Sequence, residues 1–149
     1  MGNITRKPNN LAFSYRGINQ TPSNGTIANW WTNEFNIGGH YSNGTSRFTC
    51  PVAGYYLFGW TSIGNNIGTV TRMYFRVNGS TPGNGDIHLR QDCSGTNQYG
   101  TNAMFVLPWY LQVNDYVEIY LTTDNSSAFY PGGVSPGNDY WRFWGMYMQ

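Results

Sequence analysis

Two histidines and two cysteines, with seven carboxylates, are most of what the chain offers for acid–base, nucleophilic or metal chemistry. Asp86 and His88 stand two residues apart and share one face of an extended segment, which makes half a metal site. Nothing supplies the other half. Neither His88 nor His40 lies in a nucleophile-elbow or zinc-binding context, and so Ser-rich a chain contains Ser, His and Asp without their forming a triad. Glu34 and Glu118 are the only glutamates, which argues against the paired carboxylates of a glycosidase. Asp124 and Asp139 stand near Asn groups that suit calcium, but no spaced loop motif surrounds them. Cys50 and Cys93 form neither a CxxC knuckle nor a dense disulfide scaffold. They read as two unpaired thiols, with a single bridge between neighbouring strands as the alternative. The expectation is a protein without enzymatic activity, metal or cofactor.

What the chain holds in excess is ring surface. Six Trp, 12 Tyr and eight Phe accompany only 10% charged residues, where a soluble domain has about 25%. Eight Lys and Arg against seven Asp and Glu leave a net charge of +1 and no basic stripe, which argues against a nucleic-acid partner. Low net charge and abundant Tyr and Trp also argue against disorder. No apolar run approaches the roughly 18 residues of a membrane span, and the first residues carry no signal-peptide core. The chain is therefore expected to be made without export or membrane insertion. The six Asn-X-Ser/Thr sequons, which begin at Asn3, Asn19, Asn24, Asn43, Asn78 and Asn125, then read as turn chemistry rather than glycan sites.

The elements that must position these rings are strands. One Lys, two Glu and six Leu cannot furnish several amphipathic helices, while 19 Gly and seven Pro supply turns. Leu11, Phe13 and Tyr15 alternate with Ala12, Ser14 and Arg16; Met73, Phe75 and Val77 alternate with Arg72 and Arg76; and Val117–Leu121 alternates likewise. Tyr55–Trp60, Met104–Leu107 and Trp141–Met148 are apolar on both faces. A two-layer sandwich leaves one face of each sheet wet, so a surplus apolar face calls for another subunit to cover it. The organisation is one domain over residues 10–149 behind a polar arm of residues 1–9, with long recognition loops at 79–85 and 131–139.

Three segments carry a family resemblance. Tyr41, followed by Phe48-Thr49-Cys50-Pro51-Val52-Ala53-Gly54-Tyr55-Tyr56-Leu57-Phe58, is similar to the signature of the complement C1q globular-head family, within the tumour-necrosis-factor-like jelly rolls. Pro51 and Gly54 would make the reversal between two strands, and Phe48, Tyr56 and Phe58 would anchor them. Leu111-Gln112-Val113-Asn114-Asp115-Tyr116-Val117 resembles the second mark, with Asn114 in place of a glycine and able to hold the same left-handed turn. Phe143-Trp144-Gly145-Met146 matches the third. Ser46 departs from the pattern by standing where a Gly is common, and residues 1–9 carry no collagen-like Gly-X-Y repeat.

The resemblance implies an all-β, ten-strand jelly-roll sandwich of the C1q/tumour-necrosis-factor type that assembles as a homotrimer with one sheet toward the threefold axis. It places Tyr15, Phe105, Phe143 and Tyr147 on inner-sheet strands, as inter-subunit contacts or as core. With the lysine-poor, Asn- and Gly-rich composition it implies a non-enzymatic bacteriophage structural protein. Such a protein would sit on the virion surface as capsid decoration or cement, or as a tail component, with a capsid or tail protein as partner. The alternative is an adhesin that binds a host-surface glycan or receptor through Trp30, Trp31, Tyr99, Tyr130 and Tyr140 as stacking platforms. A secreted C1q-like ligand is the third reading.

Overall fold

Alternation along each strand decides what enters the core, and two facing sheets result. The computed structural model describes residues 11–17, 25–65, 69–81, 88–93, 99–123 and 142–148. In chain order the strands are β1 (Ala12–Gly17), β2 (Thr26–Ile27), β3 (Trp30–Ile37), β4 (Tyr41–Ser42), β5 (Arg47–Thr49), β6 (Gly54–Asn65), β7 (Thr69–Val77), β8 (His88–Cys93), β9 (Tyr99–Leu111), β10 (Tyr116–Thr123) and β11 (Arg142–Met148). One sheet runs β3-β1-β11-β6-β9; the other runs β4-β5-β10-β7-β8, with β2 also on β10. β10 meets β5 at Tyr116 and Val117 and β2 at Tyr120 and Leu121, while β7 takes its other edge. β5 and β2 thus share one edge of β10 end to end. Among the described residues eleven segments fill ten strand positions, five in each sheet, in keeping with the expected jelly roll.

The rings go first to the space between the sheets. Phe13 stacks on Tyr41 and Phe48 with centroids 5.0 and 5.1 Å away, meets Phe143 edge-on at 5.1 Å, and Phe58 packs 5.4 Å from Phe75. Trp30, Trp60 and Tyr56 are fully buried beside them. Gly145 lies between Phe13 and Phe58 in the register, and a Cβ there would meet both rings at 2.6–2.7 Å. The glycine of the Phe-x-Gly mark is therefore a packing requirement of the two phenylalanines.

Phe48, Tyr56 and Phe58 anchor the core as expected. The intervening segment differs from a simple reversal, because β5 and β6 belong to opposite sheets and residues 50–53 cross between them. The crossing is tied down where the Cys50 amide donates to the Asp115 carbonyl (2.7 Å) and the Asn114 amide donates to the Cys50 carbonyl (2.8 Å). Asn114 adopts the expected left-handed conformation, with φ of 72°. Ser46 is left-handed too (φ 55°), which explains the glycine common at that place, and its buried hydroxyl donates to Asn29 Oδ1 at 3.1 Å. Cys50 is a free, buried thiol that donates to the Val52 carbonyl, and the Cys93 side chain lies outside the described residues. Burial pushes this thiol above its ordinary range.

Candidate functional site

Any surface that a partner could cover must lie on the outward faces of the two sheets, and they differ in chemistry. On the five-stranded sheet the register lines residues up across the strands. Ile37, Ala12, Met146 and Leu57 form one row, and Met148, Tyr55 and Tyr110 a second. A third row runs Phe35, Ser14, Trp144 and Gly59. Trp144 lies flat over Gly59, where any Cβ would run into the indole. Seven large apolar side chains are exposed among the described residues, from 39% for Met148 to 55% for Tyr55. Six of them (Phe35, Ile37, Tyr55, Tyr110, Met146 and Met148) belong to this one face, and the seventh, Val113, is on the turn before β10. An apolar face so concentrated is the usual mark of an interaction surface.

One end of the face is ionic. The buried Ser14 hydroxyl donates to Glu34 Oε2 at 2.6 Å. Glu34 Oε1 lies 3.0 Å from Arg142 Nη2 and 3.6 Å from Arg16 Nε. Arg16 and Arg142 are directly opposed in the register, so Glu34 holds together two like charges that would otherwise repel. The shift in register between Ser14 and Tyr15, a bulge in β3, sets Glu34 at this position.

Three of the four expected contact residues turn inward. Tyr15 and Phe143 are buried in the core, which corrects their assignment to a subunit interface. Tyr147 also turns inward, over Gly54 and against Tyr56 at 5.1 Å. The reason is parity: on β11 the odd positions 143, 145 and 147 face the other sheet, and the even positions Met146 and Met148 face out. Phe105 stands opposite Gly59, in line with the Phe35 row, and its side chain lies outside the described residues.

The aromatic platform divides similarly. Trp30 is fully buried at the start of β3, 5.7 Å from Phe143, so it is core rather than a loop platform. Trp31 and Tyr99 lie on strands, with side chains outside the described residues; Tyr130 and Tyr140 lie outside them entirely, as do residues 1–9, 131–139, Asp86, Asp124 and Asp139. Among the described residues no three His, Cys, Asp or Glu side chains gather. Nor is any helix there long and apolar enough to cross a membrane.

Sequence reasoning flagged β6 and β11 as apolar on both faces but missed Tyr55, Tyr110, Ile37, Phe35, Met146 and Met148 as the outward set. The Phe-x-Gly spacing held the missing signal. A glycine that makes room for two core rings must itself face inward, which turns its neighbours Trp144 and Met146 out.

Comparison with known proteins agrees with this architecture. A family model described as the C1q domain matches residues 12–135. The solved globular domain of a zebrafish complement 1qA protein superposes with a TM-score of 0.63 at 15% identity, covering 92% of this chain and 95% of that one. No curated protein matches the sequence.

Proposed function

The chain belongs to the C1q domain family, and from that premise we propose that it acts without catalysis, as a homotrimer whose subunits meet through the outward face of the five-stranded sheet. Domains of this family are structural and recognition modules that commonly self-associate as trimers. The observation that carries the proposal is the concentration of six exposed apolar side chains on that face. Burying one such side chain contributes about 1.5–3 kcal/mol, and an interface of standard size needs only about 800 Å² from each partner. In its biological setting we read the trimer as a bacteriophage structural protein on the virion surface, decorating or cementing the capsid or joined to the tail. The composition supports this reading: one lysine in 149 residues and 10% charged side chains suit a protein that buries much of its surface in an assembly.

Two experiments test the reading at its two levels. Light scattering on the full chain at micromolar concentration is expected to give three times the 16.8 kDa subunit mass; a strict monomer overturns the trimer. Purified phage particles carrying the gene are expected to contain the protein in stoichiometric amount and to bind antibody raised against it. Its absence from particles would remove the virion assignment and leave the trimer standing.

A further inference from the structure

An Asn-Gly pair is a turn former and also a reactive sequence. Asn tolerates the left-handed positions of tight turns, and a glycine, having no side chain, leaves its amide nitrogen open to the carboxamide of the residue before it. The chain has four such pairs, Asn24-Gly25, Asn43-Gly44, Asn78-Gly79 and Asn84-Gly85. Asn24, Asn84 and Gly85 lie outside the described residues. The remaining groups are held in three different ways.

At Gly25 the nitrogen is committed. Its amide donates to the Leu121 carbonyl at 3.0 Å, beside the pairing of β2 with β10. At Asn78 the carboxamide is committed. Nδ2 donates to Asp115 Oδ1 at 2.7 Å, and Oδ1 accepts from the Tyr116 amide at 3.0 Å. The Asn78 amide donates in turn to the Tyr116 carbonyl at 2.9 Å, and Val77 and Ser80 exchange two backbone bonds across the pair, at 2.9 and 3.0 Å. A carboxamide gripped at both ends cannot bring its carbon to the Gly79 nitrogen without breaking these bonds.

Asn43-Gly44 carries neither restraint. The pair lies in the turn from β4 to β5, at an edge of the six-stranded sheet, and Asn43, Gly44 and Thr45 are all exposed. The Asn43 carbonyl accepts a long bond from Ser46 Oγ at 3.5 Å, while its carboxamide and the Gly44 amide have no partner among the described residues. The space about Gly44 is open: an added Cβ would meet only the Ser42 hydroxyl, 3.8 Å away. The local sequences Asn43-Gly44-Thr45 and Asn78-Gly79-Ser80 are nearly the same, so any difference in their reactivity comes from the fold.

We propose that Asn43 is a site of spontaneous deamidation, with water as the only co-reactant. The Gly44 nitrogen attacks Asn43 Cγ and gives up its proton; the new C–N bond closes a succinimide. The Cγ–Nδ2 bond breaks with its electron pair on nitrogen, which takes up the proton and leaves as ammonia. Water then opens the ring. Addition at Cγ gives aspartate, and addition at the former main-chain carbonyl gives isoaspartate, with no change of oxidation state. Either product bears a carboxylate where the amide stood, which takes the formal charge from +1 to zero. Isoaspartate also lengthens the main chain by a methylene group within the turn that Ser46 anchors through Asn29 Oδ1. The turn belongs to the six-stranded sheet, so the site does not depend on trimerisation.

The test is incubation of the full chain at neutral pH and physiological temperature, folded and in urea, followed by peptide mapping with fragmentation. Each event is read as the gain in mass from exchanging ammonia for water, and isoaspartate is read with an isoaspartate-specific methyltransferase. In urea Asn43 and Asn78 are expected to react at similar rates. In the folded protein Asn43 should react at least about tenfold faster than Asn78, a difference of about 1.4 kcal/mol in barrier. Gly44→Ala, whose methyl group the turn accommodates, should slow the reaction at Asn43 severalfold without moving the urea midpoint of unfolding. The proposal is overturned if folded Asn43 keeps its carboxamide over a period in which the unfolded chain loses it, if Asn78 reacts as fast as Asn43 in the folded protein, or if Gly44→Ala leaves the rate unchanged.

Discussion

The chain has two glutamates, and each sits on the outward face of one sheet between two arginines. Glu118 is sealed: 2% of its side chain is accessible, and Arg47 and Arg76 lie on tyrosines that close the site from above. Glu34 is open: 23% of its side chain is accessible, and its arginines border Phe35 and a stretch of bare apolar surface. The same triad of charges has opposite surroundings. One face seals its anion beneath its own arginines and tyrosines; the other is ionic at one end and apolar at the other, and is the better candidate for a surface that a neighbour covers. The sealed cluster supports the fold of a single chain, and in the proposed trimer the open one would be completed by a neighbour.

The sharpest way to break that comparison is to place the same charge on both faces. Met146→Lys puts an ammonium in the middle of the open face and is expected to raise the trimer's dissociation constant at least about a hundredfold, from lost burial and an unpaired charge. Tyr74→Lys on the other sheet should leave the mass unchanged. Sedimentation of both variants across a concentration series reads the difference; equal behaviour would mean that the two faces are not distinct.

Glu118→Gln examines the sealed cluster. It removes a buried anion from between two guanidiniums, with an expected loss of about 2 kcal/mol. The loss should fall short of a wholly buried pair because both arginines reach water. Denaturation by urea should show it equally at low and high protein concentration, since the cluster belongs to one subunit.

Much of this was legible in the sequence. The strand alternation of β1, β7 and β10, the left-handed turn at Asn114 and the anchoring of Phe48, Tyr56 and Phe58 follow from local pattern, because each depends on neighbours within a few residues. The face that a strand presents outward was not legible where both parities are apolar. Along Phe143–Met148 a one-residue slip exchanges core and surface, and only the fit of Phe13 and Phe58 around Gly145 decides it. Trp30 looked like a loop residue for a similar reason. Its burial against Phe143 comes from a strand more than a hundred residues away. The sealed cluster was hidden too, because Arg47, Arg76 and Glu118 are far apart until the register gathers them.

Between the two faces, the core responds to alkali. Burial holds the hydroxyls of Tyr41 and Tyr56 well above the usual phenol range, with Tyr56 also tied to Cys50 and Val52. The folded state keeps both neutral while the unfolded chain ionises near pH 10. Their contribution is therefore complete below that pH and is lost above it, at up to about 1.4 kcal/mol per tyrosine for each pH unit. Urea midpoints should be level from pH 7 to 9 as far as these tyrosines are concerned and fall beyond 10. Tyr41→Phe should flatten the fall by about half. A slope unchanged by that substitution would place the sensitivity on the outward faces instead.

The smallest effect is the most discriminating. Glu34→Gln keeps an acceptor for Ser14 but removes the carboxylate charge that lies between Arg16 and Arg142. In an isolated subunit the arginines remain hydrated, so the loss should stay near 0.5 kcal/mol. Once a neighbour covers the face, the same directly opposed arginines must be desolvated without the Glu34 carboxylate between them, and the trimer's dissociation constant should rise about tenfold or more. Measuring the variant alone and in the Met146→Lys background separates the two contributions. If the stability cost is the same in the dissociated and assembled states, Glu34 is a surface charge like any other, and the contrast with Glu118 is only one of exposure. If it grows on assembly, the open cluster is part of the interface and helps to fix how the subunits are set against one another.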